Sequence, residues 1–399
     1  MTKLILLLAL VALALWLFGP REPVRLEPVA VDLPGDLDGW LTAREAGIRP
    51  DVAARLIWAG EPGMQTDLSI VYLHGFSASP RELSPVPERL AAEFGANLFI
   101  TRLTGHGQDG AALAGASVAD WWRDTAEAIA VGQRLGRRVV VIGTSTGATL
   151  AAEAARDPAL GQGIDGVVLI SGNFQLKARG VQLLTWPFAR WWLPRVAGET
   201  RCFEPRSPDH AAAWTSCYPT VSVLPMAARV RHARGGDYAA AKQPALFIWA
   251  EADQVVDPAA AMRVAQGWGG PVTKAPMVPG PGDDPSRHVI AGDIVSPGMT
   301  GPVTGIIADW LRASLNCAGL AAQKKTGGTR PPDKSVRPRS RQIAILWVSA
   351  GPPGPVPSLP ESIGRRPARR RCGRPMFSSM KSRTSGRMFS RQLLPAKMP

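Results

Sequence analysis

Short apolar runs alternate with amphipathic stretches between residues 54 and 315. The runs are rich in β-branched and aromatic residues, which favours strands, whereas the stretches between them carry helix formers and helix-capping residues. Strands are predicted at 54–60, 67–75, 97–101, 139–142, 165–171, 245–250 and 272–277, and helices at 85–94, 117–135, 148–156 and 302–315. This alternation predicts an α/β fold, a mostly parallel sheet with helices on both faces. The first two strands flank a Glu-Pro-Gly turn and are predicted to form a hairpin at the edge of the sheet.

The junction at residues 137–156 joins a buried strand directly to a helix. Between them, Gly143, Ser145 and Gly147 complete the pattern G-x-S-x-G, in which a strained turn exposes the serine hydroxyl above the sheet. The glycines remove the Cβ atoms that would collide where strand and helix approach each other. Five such residues also recur by chance as an ordinary Gly-Ser turn. The strand before and the helix after favour Ser145 as a nucleophile.

A candidate acid and a candidate base follow the serine along the chain. Asp253 is the first aspartate after the strand at 245–250, with Asp257 in reserve, and His288 lies in a loop rich in Gly, Pro and Asp. The other histidines lie upstream of the serine or between it and the acid: His74, His106, His210 and His232. Ser145, Asp253 and His288 therefore occur in the order serine, acid, histidine that this architecture uses for such a set. A lone loop histidine is otherwise usually a solvated residue.

The turn at His74, Gly75 and Phe76 ends the strand at 67–75. A sharp glycine turn in this place can point a backbone N–H at a developing oxyanion. On its own, the tripeptide is equally consistent with a turn that merely ends a strand.

About seventy residues separate the strand ending at Ser171 from the strand starting at Ala245, too many for an ordinary crossover. We interpret residues 174–240 as an inserted cap. Its aromatic residues predict either a lid over an apolar pocket or a small core of its own: Trp186, Phe188, Trp191, Trp192 and Trp214. In an oxidising compartment Cys202 and Cys217 would form a disulfide; the alternative is two unpaired thiols. No Cys and His spacing is typical of a metal site.

The amino terminus carries an uninterrupted apolar run, Leu4 to Phe18, in a predicted signal or anchor segment spanning residues 1–20. We expect an uncleaved membrane anchor with the body outside the cytoplasm, periplasmic or extracellular. A cleaved export signal and a buried helix are the alternatives. Residues 21–51 are rich in proline and are interpreted as an irregular tether.

The net charge of +14 is concentrated at the carboxyl terminus. Residues 319–399 hold 18 of the 46 Lys and Arg but only 2 of the 32 Asp and Glu, so the rest of the chain is close to neutral. This distribution argues against nucleic acid as a partner of the body. The tail combines charge runs with proline, which predicts disorder.

The motifs at VYLHGF, TRLTGHG, GTSTG, ADQVVD and His288 together resemble the α/β-hydrolase superfamily, within it the bacterial carboxylesterase and monoacylglycerol lipase group, also labelled serine aminopeptidase-like. The resemblance covers roughly residues 50–316. It implies Ser145 as nucleophile, His288 as general base and Asp253 as its orienting acid. It further implies an oxyanion hole from the backbone N–H groups of Phe76 and Thr146, and no cofactor. Thr146 departs from the apolar residue common in that group.

These observations predict a hydrolase core at 52–173 and 241–318, interrupted by the cap at 174–240. The expected function is a serine hydrolase acting on small apolar esters or acyl glycerols, with Trp186, Trp191 and Trp192 as candidate acyl-binding residues of the lid. A peptidase or amidase using the same three residues is the alternative. A non-catalytic, membrane-tethered binding protein is a third hypothesis, and its mark would be a missing member of the triad. The sequence leaves the oligomeric state open.

Overall fold

The computed structural model describes residues 1–27 and 29–315; the predicted disordered tail, 319–399, lies outside them. The strands of this part are β1 (Arg55–Ile57), β2 (Thr66–Leu73), β3 (Asn97–Ile100), β4 (Gly136–Thr144), β5 (Gly166–Ile170), β6 (Thr200–Cys202), β7 (Cys217–Pro219), β8 (Ala245–Ala250) and β9 (Val272–Met277). The α-helices are α1 (Thr2–Phe18), α2 (Leu37–Arg44), α3 (Val86–Phe94), α4 (Gly110–Gly115), α5 (Val118–Leu135), α6 (Thr146–Arg156), α7 (Ala189–Ala197), α8 (Pro208–Ala213), α9 (Val223–Arg234), α10 (Pro258–Gly267) and α11 (Pro297–Ser314).

The main sheet has seven strands in the order β1-β3-β2-β4-β5-β8-β9. All its neighbouring pairs are parallel except β1 and β3. This confirms the predicted α/β fold with a mostly parallel sheet. Because β4 lies at the centre, with β5 and β8 on one side and β2 on the other, the carboxyl ends of these four strands meet at one edge, where ligands bind in such sheets.

The predicted hairpin of the first two strands is wrong. Residues of β1 pair with β3, Leu56 opposite Phe99, and β3 separates β1 from β2. β2 is buried from Leu68 to Leu73 and hydrogen-bonds on both sides, to β3 and β4. A strand buried in this way takes an interior place with parallel neighbours. The chain does reverse direction between β1 and β2, but β1 pairs with β3, the neighbour of β2, and not with β2 itself.

Alternate residues of β4 enter two separate cores, one on each face of the sheet. Val139 and Val141 pack with residues of α5 and α6, whereas Val140 and Ile142 pack with residues of α3 and α11. This is the period of two that a strand imposes on its side chains. Since both kinds of position must be apolar, the strand reads in the sequence as a continuous apolar run. The sandwich of helices and sheet fixes the position of the turn that follows β4.

Residues 171–244, between β5 and β8, contain α7, α8, α9 and the small antiparallel pair of β6 and β7. Cys202 and Cys217 lie opposite each other in this pair and form a disulfide. The segment thus has secondary structure of its own, with a covalent link between its two strands. The boundaries 174–240 of the cap stay a prediction.

The amino-terminal apolar run forms α1, whose large apolar side chains are exposed. Its 17 residues give a helix of roughly 25 Å, less than the ~30 Å hydrocarbon core of a bilayer. Among the described residues, no helix is long and apolar enough to cross a membrane, so the predicted anchor is not supported. The location of the body outside the cytoplasm stays a prediction.

Part of the predicted irregular tether is helical and packed. Helix α2 buries Leu37 and Leu41 against the core, and Asp36 caps its first turn by accepting the N–H of Gly39. Just beyond it, the buried carboxylate of Glu45 accepts two hydrogen bonds from Arg102, at 2.6 and 3.1 Å. The helix was not predicted because the residues before Asp36 are rich in proline, and two buried leucines are too few to indicate a helical pattern.

Candidate active site

Ser145 occupies the turn between β4 and α6, with φ 52° and ψ −111°. Few non-glycine residues adopt this region, so the surrounding backbone must hold it there. The N–H of Ser145 donates to the carbonyl oxygen of Ile170 on β5, at 2.9 Å. A Cβ on Gly147 would lie 2.0 Å from the carbonyl oxygen of Leu73, and one on Gly143 would lie 2.5 Å from the backbone of Gly147. Both glycines are required because strand and helix nearly touch.

The structure brings Ser145, His288 and Asp253 into one hydrogen-bonded chain. His288 Nε2 lies 3.0 Å from Ser145 Oγ, and His288 Nδ1 lies 2.8 Å from Asp253 Oδ2. The other carboxylate oxygen of Asp253 accepts the N–H groups of Val255 and Val256, at 2.7 and 2.9 Å. With the proton of the ring on Nδ1, Nε2 is free to accept the hydroxyl proton of Ser145. All three side chains are buried.

Asp257, the reserve acid, does not reach this chain. It lies at the start of α10, where its carboxylate accepts the N–H of Ala259 at 3.1 Å. This is a helix-capping position, for which Asp and Asn are equally suited.

The loop that carries His288 is held by Asp284, a residue that was not among those predicted for the site. Asp284 Oδ2 accepts the N–H groups of His288 and Val289, at 2.9 and 3.0 Å, and the hydroxyl of Ser286, at 2.5 Å. Its side chain is completely buried. The sequence did contain a signal, because an aspartate two residues before a serine forms such turns. Asp284 therefore fixes the backbone from which the imidazole extends.

Burial and nearby charge act in opposite directions on His288. Burial by itself lowers the pKa of the imidazole, but the carboxylate of Asp253, its hydrogen bond and the charges of Asp284 and Glu82 outweigh this and raise the pKa of His288 above its ordinary value. The charged form of His288 is thus stabilised inside the site. A base that must accept a proton in the course of a reaction benefits from this arrangement.

Phe76 and Thr146 carry the two backbone N–H groups that are predicted to form the oxyanion hole. Thr146 is the first residue of α6, so its N–H has no acceptor within the helix. Burial keeps the pKa of His74 well below its ordinary value. Its neutral ring accepts the N–H of Leu103 at Nε2, at 3.0 Å, so the other nitrogen donates to the carbonyl oxygen of Gly75, at 2.8 Å. That carbonyl and the N–H of Phe76 belong to one peptide and point in opposite directions. His74 thereby orients the Phe76 N–H.

A cavity of about 50 Å³ lies against Ser145 and His288. Apart from a few polar groups near the serine, its walls are apolar and come largely from the segment between β5 and β8: Leu176, Phe203, Trp214, Tyr218 and Met226. The disulfide of Cys202 and Cys217 joins the residues that immediately precede Phe203 and Tyr218. It closes the intervening loop, which also carries Trp214, into one unit.

The three tryptophans predicted for the acyl site do not line this cavity. Trp186 makes an edge contact with Trp16 at a ring separation of 4.8 Å, and Trp191 is 61% exposed beside Phe188. Trp192 is half-buried and donates from Nε1 to the carbonyl oxygen of Pro187, at 3.0 Å. Counting aromatic residues indicated the right segment but not which rings turn towards the serine.

In the part of the chain that the structure describes, no group of three or more His, Cys, Asp or Glu side chains is arranged to hold a metal ion.

A family model described as serine aminopeptidase, S33, matches residues 65–280, more than half of the 399 residues. No curated protein matches the sequence significantly. A solved structure from work on LipS and LipT, two metagenome-derived lipolytic enzymes, is similar with a TM-score of 0.52 and 18% identity, over 66% of this chain and 99% of that one. A soluble variant of the monoglyceride lipase from Saccharomyces cerevisiae, in complex with a substrate analogue, is similar with a TM-score of 0.50 and 13% identity, over 74% of this chain and 98% of that one.

At these identities the solved structures show a shared fold. The family match spans β2 to β9, and so includes the turn of Ser145 and the strand that precedes Asp253. The chain therefore belongs to the serine aminopeptidase family S33 and has the α/β-hydrolase fold.

Proposed function

We propose that this protein is a serine hydrolase that cleaves small apolar carboxylic esters, or acyl glycerols, through an acyl-enzyme on Ser145. The observation that carries the proposal is the hydrogen-bonded chain from Ser145 Oγ through His288 to Asp253. It lies at the wall of an apolar cavity, which suits an acyl chain.

In the first half of the reaction, Ser145 Oγ attacks the ester carbonyl while His288 Nε2 takes its proton. The negative oxygen of the tetrahedral intermediate receives hydrogen bonds from the backbone N–H groups of Phe76 and Thr146. Asp253 holds the ring in the required tautomer and stabilises its positive charge. The leaving alcohol then departs with the proton from His288 Nε2.

In the second half, water attacks the acyl-enzyme and His288 again accepts the proton. The second tetrahedral intermediate collapses, releases the carboxylic acid and returns the proton to Ser145. Each preorganised oxyanion donor in sites of this kind contributes about 3 kcal/mol to the lowering of the barrier. The orientation of the Phe76 N–H by His74 is therefore part of the proposed machinery.

A serine peptidase or amidase is the second candidate, favoured by the description of the family model. The same three side chains serve either reaction, because the nucleophile and the base do not distinguish an alcohol from an amine as leaving group. Two features favour esters: the apolar walls of the cavity, and the lipolytic enzyme and monoglyceride lipase among the similar structures.

A paired panel separates the candidates. We expect hydrolysis of p-nitrophenyl esters of two to eight carbons and little release from aminoacyl p-nitroanilides. A preference for the anilides would replace the esterase proposal by the peptidase. Labelling by a fluorophosphonate probe, with loss of labelling in the Ser145→Ala variant, separates an enzyme from a binding protein.

Activity should fall at acid pH with a midpoint above the ~6.5 of an ordinary histidine. The reaction needs neutral His288, and the raised pKa of this residue means that the ring gains its proton at a higher pH than usual. The measurement is the pH dependence of kcat/KM on an ester. In Asp253→Asn, whose remaining activity can be followed with more enzyme, the midpoint should move to lower pH. A midpoint well below 6 in the unaltered protein would contradict this assignment of the base.

Trp214→Ala should shift the preference towards longer acyl chains. The indole of Trp214 is buried and occupies the wall of the cavity, so its removal makes room there. Each further methylene buried in that space contributes ~0.8 kcal/mol, about fourfold in kcat/KM. The measurement is kcat/KM along the series from acetate to octanoate. Trp191→Ala is the matched control, since that ring is exposed and does not line the cavity. Equal profiles for both variants would show that Trp214 does not limit chain length.

A further inference from the structure

Glu82 is a buried carboxyl that the proposed chemistry leaves without a role. It lies in the loop between β2 and α3 and is 2% exposed. Its Oε2 accepts the N–H of Gly75 at 2.7 Å and the hydroxyl of Tyr72 at 2.8 Å. Tyr72 in turn reaches Thr144 Oγ1 at 3.3 Å, one residue before Ser145. The carboxyl therefore connects the turn after β2 with the end of β4.

The same carboxyl faces the serine across the backbone of Gly75. A Cβ built on Gly75 would lie 2.7 Å from Glu82 Oε1 and 3.3 Å from the Cβ of Ser145. Glu82 also contributes to the wall of the cavity. Gly75 thus lies between the carboxyl and the nucleophile, and only a residue without a side chain fits in that space.

Two side chains hold the two peptides of the turn at His74, Gly75 and Phe76. His74 binds the carbonyl of Gly75, which belongs to the same peptide as the Phe76 N–H. Glu82 binds the N–H of Gly75, which belongs to the preceding peptide. Two consecutive peptides have little freedom to rotate when one is held by a hydrogen bond to its carbonyl and the other by a hydrogen bond from its N–H.

We propose that Glu82 is a positioning residue of the oxyanion hole, which acts by accepting the Gly75 N–H and so directs the Phe76 N–H at the reacting carbonyl. This inference rests on the proposed function. The inference adds to that function the residue that keeps the Phe76 N–H in place before the substrate binds.

The surroundings of Glu82 suit an acceptor more than an ion-pair partner. Burial raises its pKa to about 7, against the hydrogen bonds from Gly75 and Tyr72 and the charge of His288, which lower it. Glu88, whose charge contributes to raising the pKa of Tyr72, forms a salt bridge with Arg55 and accepts the Ser84 hydroxyl. Within the described residues Glu82 forms no salt bridge with Lys or Arg, and a buried carboxyl of this kind is costly to retain unless its hydrogen bonds are needed. Both its neutral and its charged form can accept the Gly75 N–H.

Two replacements of similar size separate the hydrogen bond from mere packing. Glu82→Gln keeps an acceptor oxygen for Gly75, whereas Glu82→Met fills the space without one. We expect Glu82→Met to lower kcat roughly 10- to 100-fold, a fraction of the effect of losing one oxyanion donor, with KM within about twofold. Glu82→Gln should stay within about fivefold of the unaltered protein. Glu88→Met, six residues further on in α3, is the control and should leave kcat unchanged.

A transition-state analogue supplies the readout that a purely structural role would not move. A trifluoromethyl ketone forms a tetrahedral adduct with the serine and places its oxyanion in the hole. Its Ki should rise in Glu82→Met by the same factor as kcat/KM falls. All assays are run well below the melting temperature of each variant, and rates are normalised to active sites counted by the initial burst of p-nitrophenol.

The outcomes are distinct. If Glu82→Gln loses as much activity as Glu82→Met, or if Glu82→Met keeps full kcat, the inference is wrong. If the kcat of Glu82→Met falls but the Ki of the ketone does not change, the oxyanion hole is not what Glu82 positions. Loss of the proposed function itself would appear separately, as ester hydrolysis that survives in Ser145→Ala.

Discussion

Replacing Ser145 with alanine should abolish ester hydrolysis, with a fall in kcat of roughly 10⁴-fold or more. The acyl group would have no oxygen to which it could transfer, because Ser145 is the only residue whose Oγ lies within hydrogen-bond distance of His288 Nε2 among the described contacts. Alanine keeps the Cβ of Ser145 and loses only the hydroxyl with its hydrogen bond to His288, so the melting temperature should change little. The measurement is steady-state hydrolysis of p-nitrophenyl butyrate beside a thermal melt.

Ser171→Ala is the matched control for this experiment. Ser171 also follows a central strand, also has positive φ, at 47°, and is also buried. Its Oγ has no hydrogen-bond partner in the described part of the chain. Both variants therefore place alanine in a strained turn, but only Ser145→Ala should abolish ester hydrolysis. Turnover by Ser145→Ala above the background rate would overturn the assignment of the nucleophile.

The second large effect is expected at the base and its partner. His288→Ala should be about as damaging as the loss of the serine, since the members of such a triad act as a unit. Asp253→Asn should lower kcat by roughly 10³ to 10⁴-fold, because an amide beside His288 Nδ1 favours the wrong tautomer. Steady-state kcat on the same ester measures both.

Asp257→Asn tests whether the acid has been assigned to the right residue. Asn caps a helix as well as Asp, so this variant should keep the start of α10 and nearly full activity. If Asp257→Asn proved more harmful than Asp253→Asn, the acid would have been misassigned, whatever the distances in the resting protein.

The sequence was most informative where local chemistry and burial agree. The helix predicted to begin after Ser117 does so, with a complete capping box between Ser117 and Asp120. The strands at 245–250 and 272–277 were predicted to the residue, the first of them as a run of apolar β-formers bounded by turn residues. The partners of β1 were not predictable in this way. Its pairing with β3 depends on which of the other strands occupy the interior of the sheet, and the residues of β1 itself carry no information on that order.

The site shows the same division. A serine in a strand-to-helix turn, an aspartate after a strand and a histidine further on are each signalled by their own neighbours. The walls of the cavity are not, because an indole has a large apolar surface that is stabilised by burial against any apolar partner. Trp191 was predicted to bind the acyl chain and Trp214 was not, yet Trp214 lines the cavity and Trp191 is exposed. Glu82 was missed for a related reason, since the Gly75 N–H that it accepts is a backbone group, and a backbone group leaves no signal in the sequence.

The cavity beside Ser145 has a consequence for turnover. At about 50 Å³ it is much smaller than the ~300 Å³ or more that small-molecule sites usually enclose, so only part of an octanoyl ester fits within its walls. If turnover needs a wider conformation of these walls, the apparent affinity for the substrate is weakened in proportion to the fraction of molecules that are open. Part of this wall belongs to the loop that Cys202 and Cys217 close, so the disulfide limits how far the two ends of the loop can separate. Two preparations of this chain, one oxidised and one reduced, would accordingly differ in how often they admit an ester while sharing the same catalytic groups.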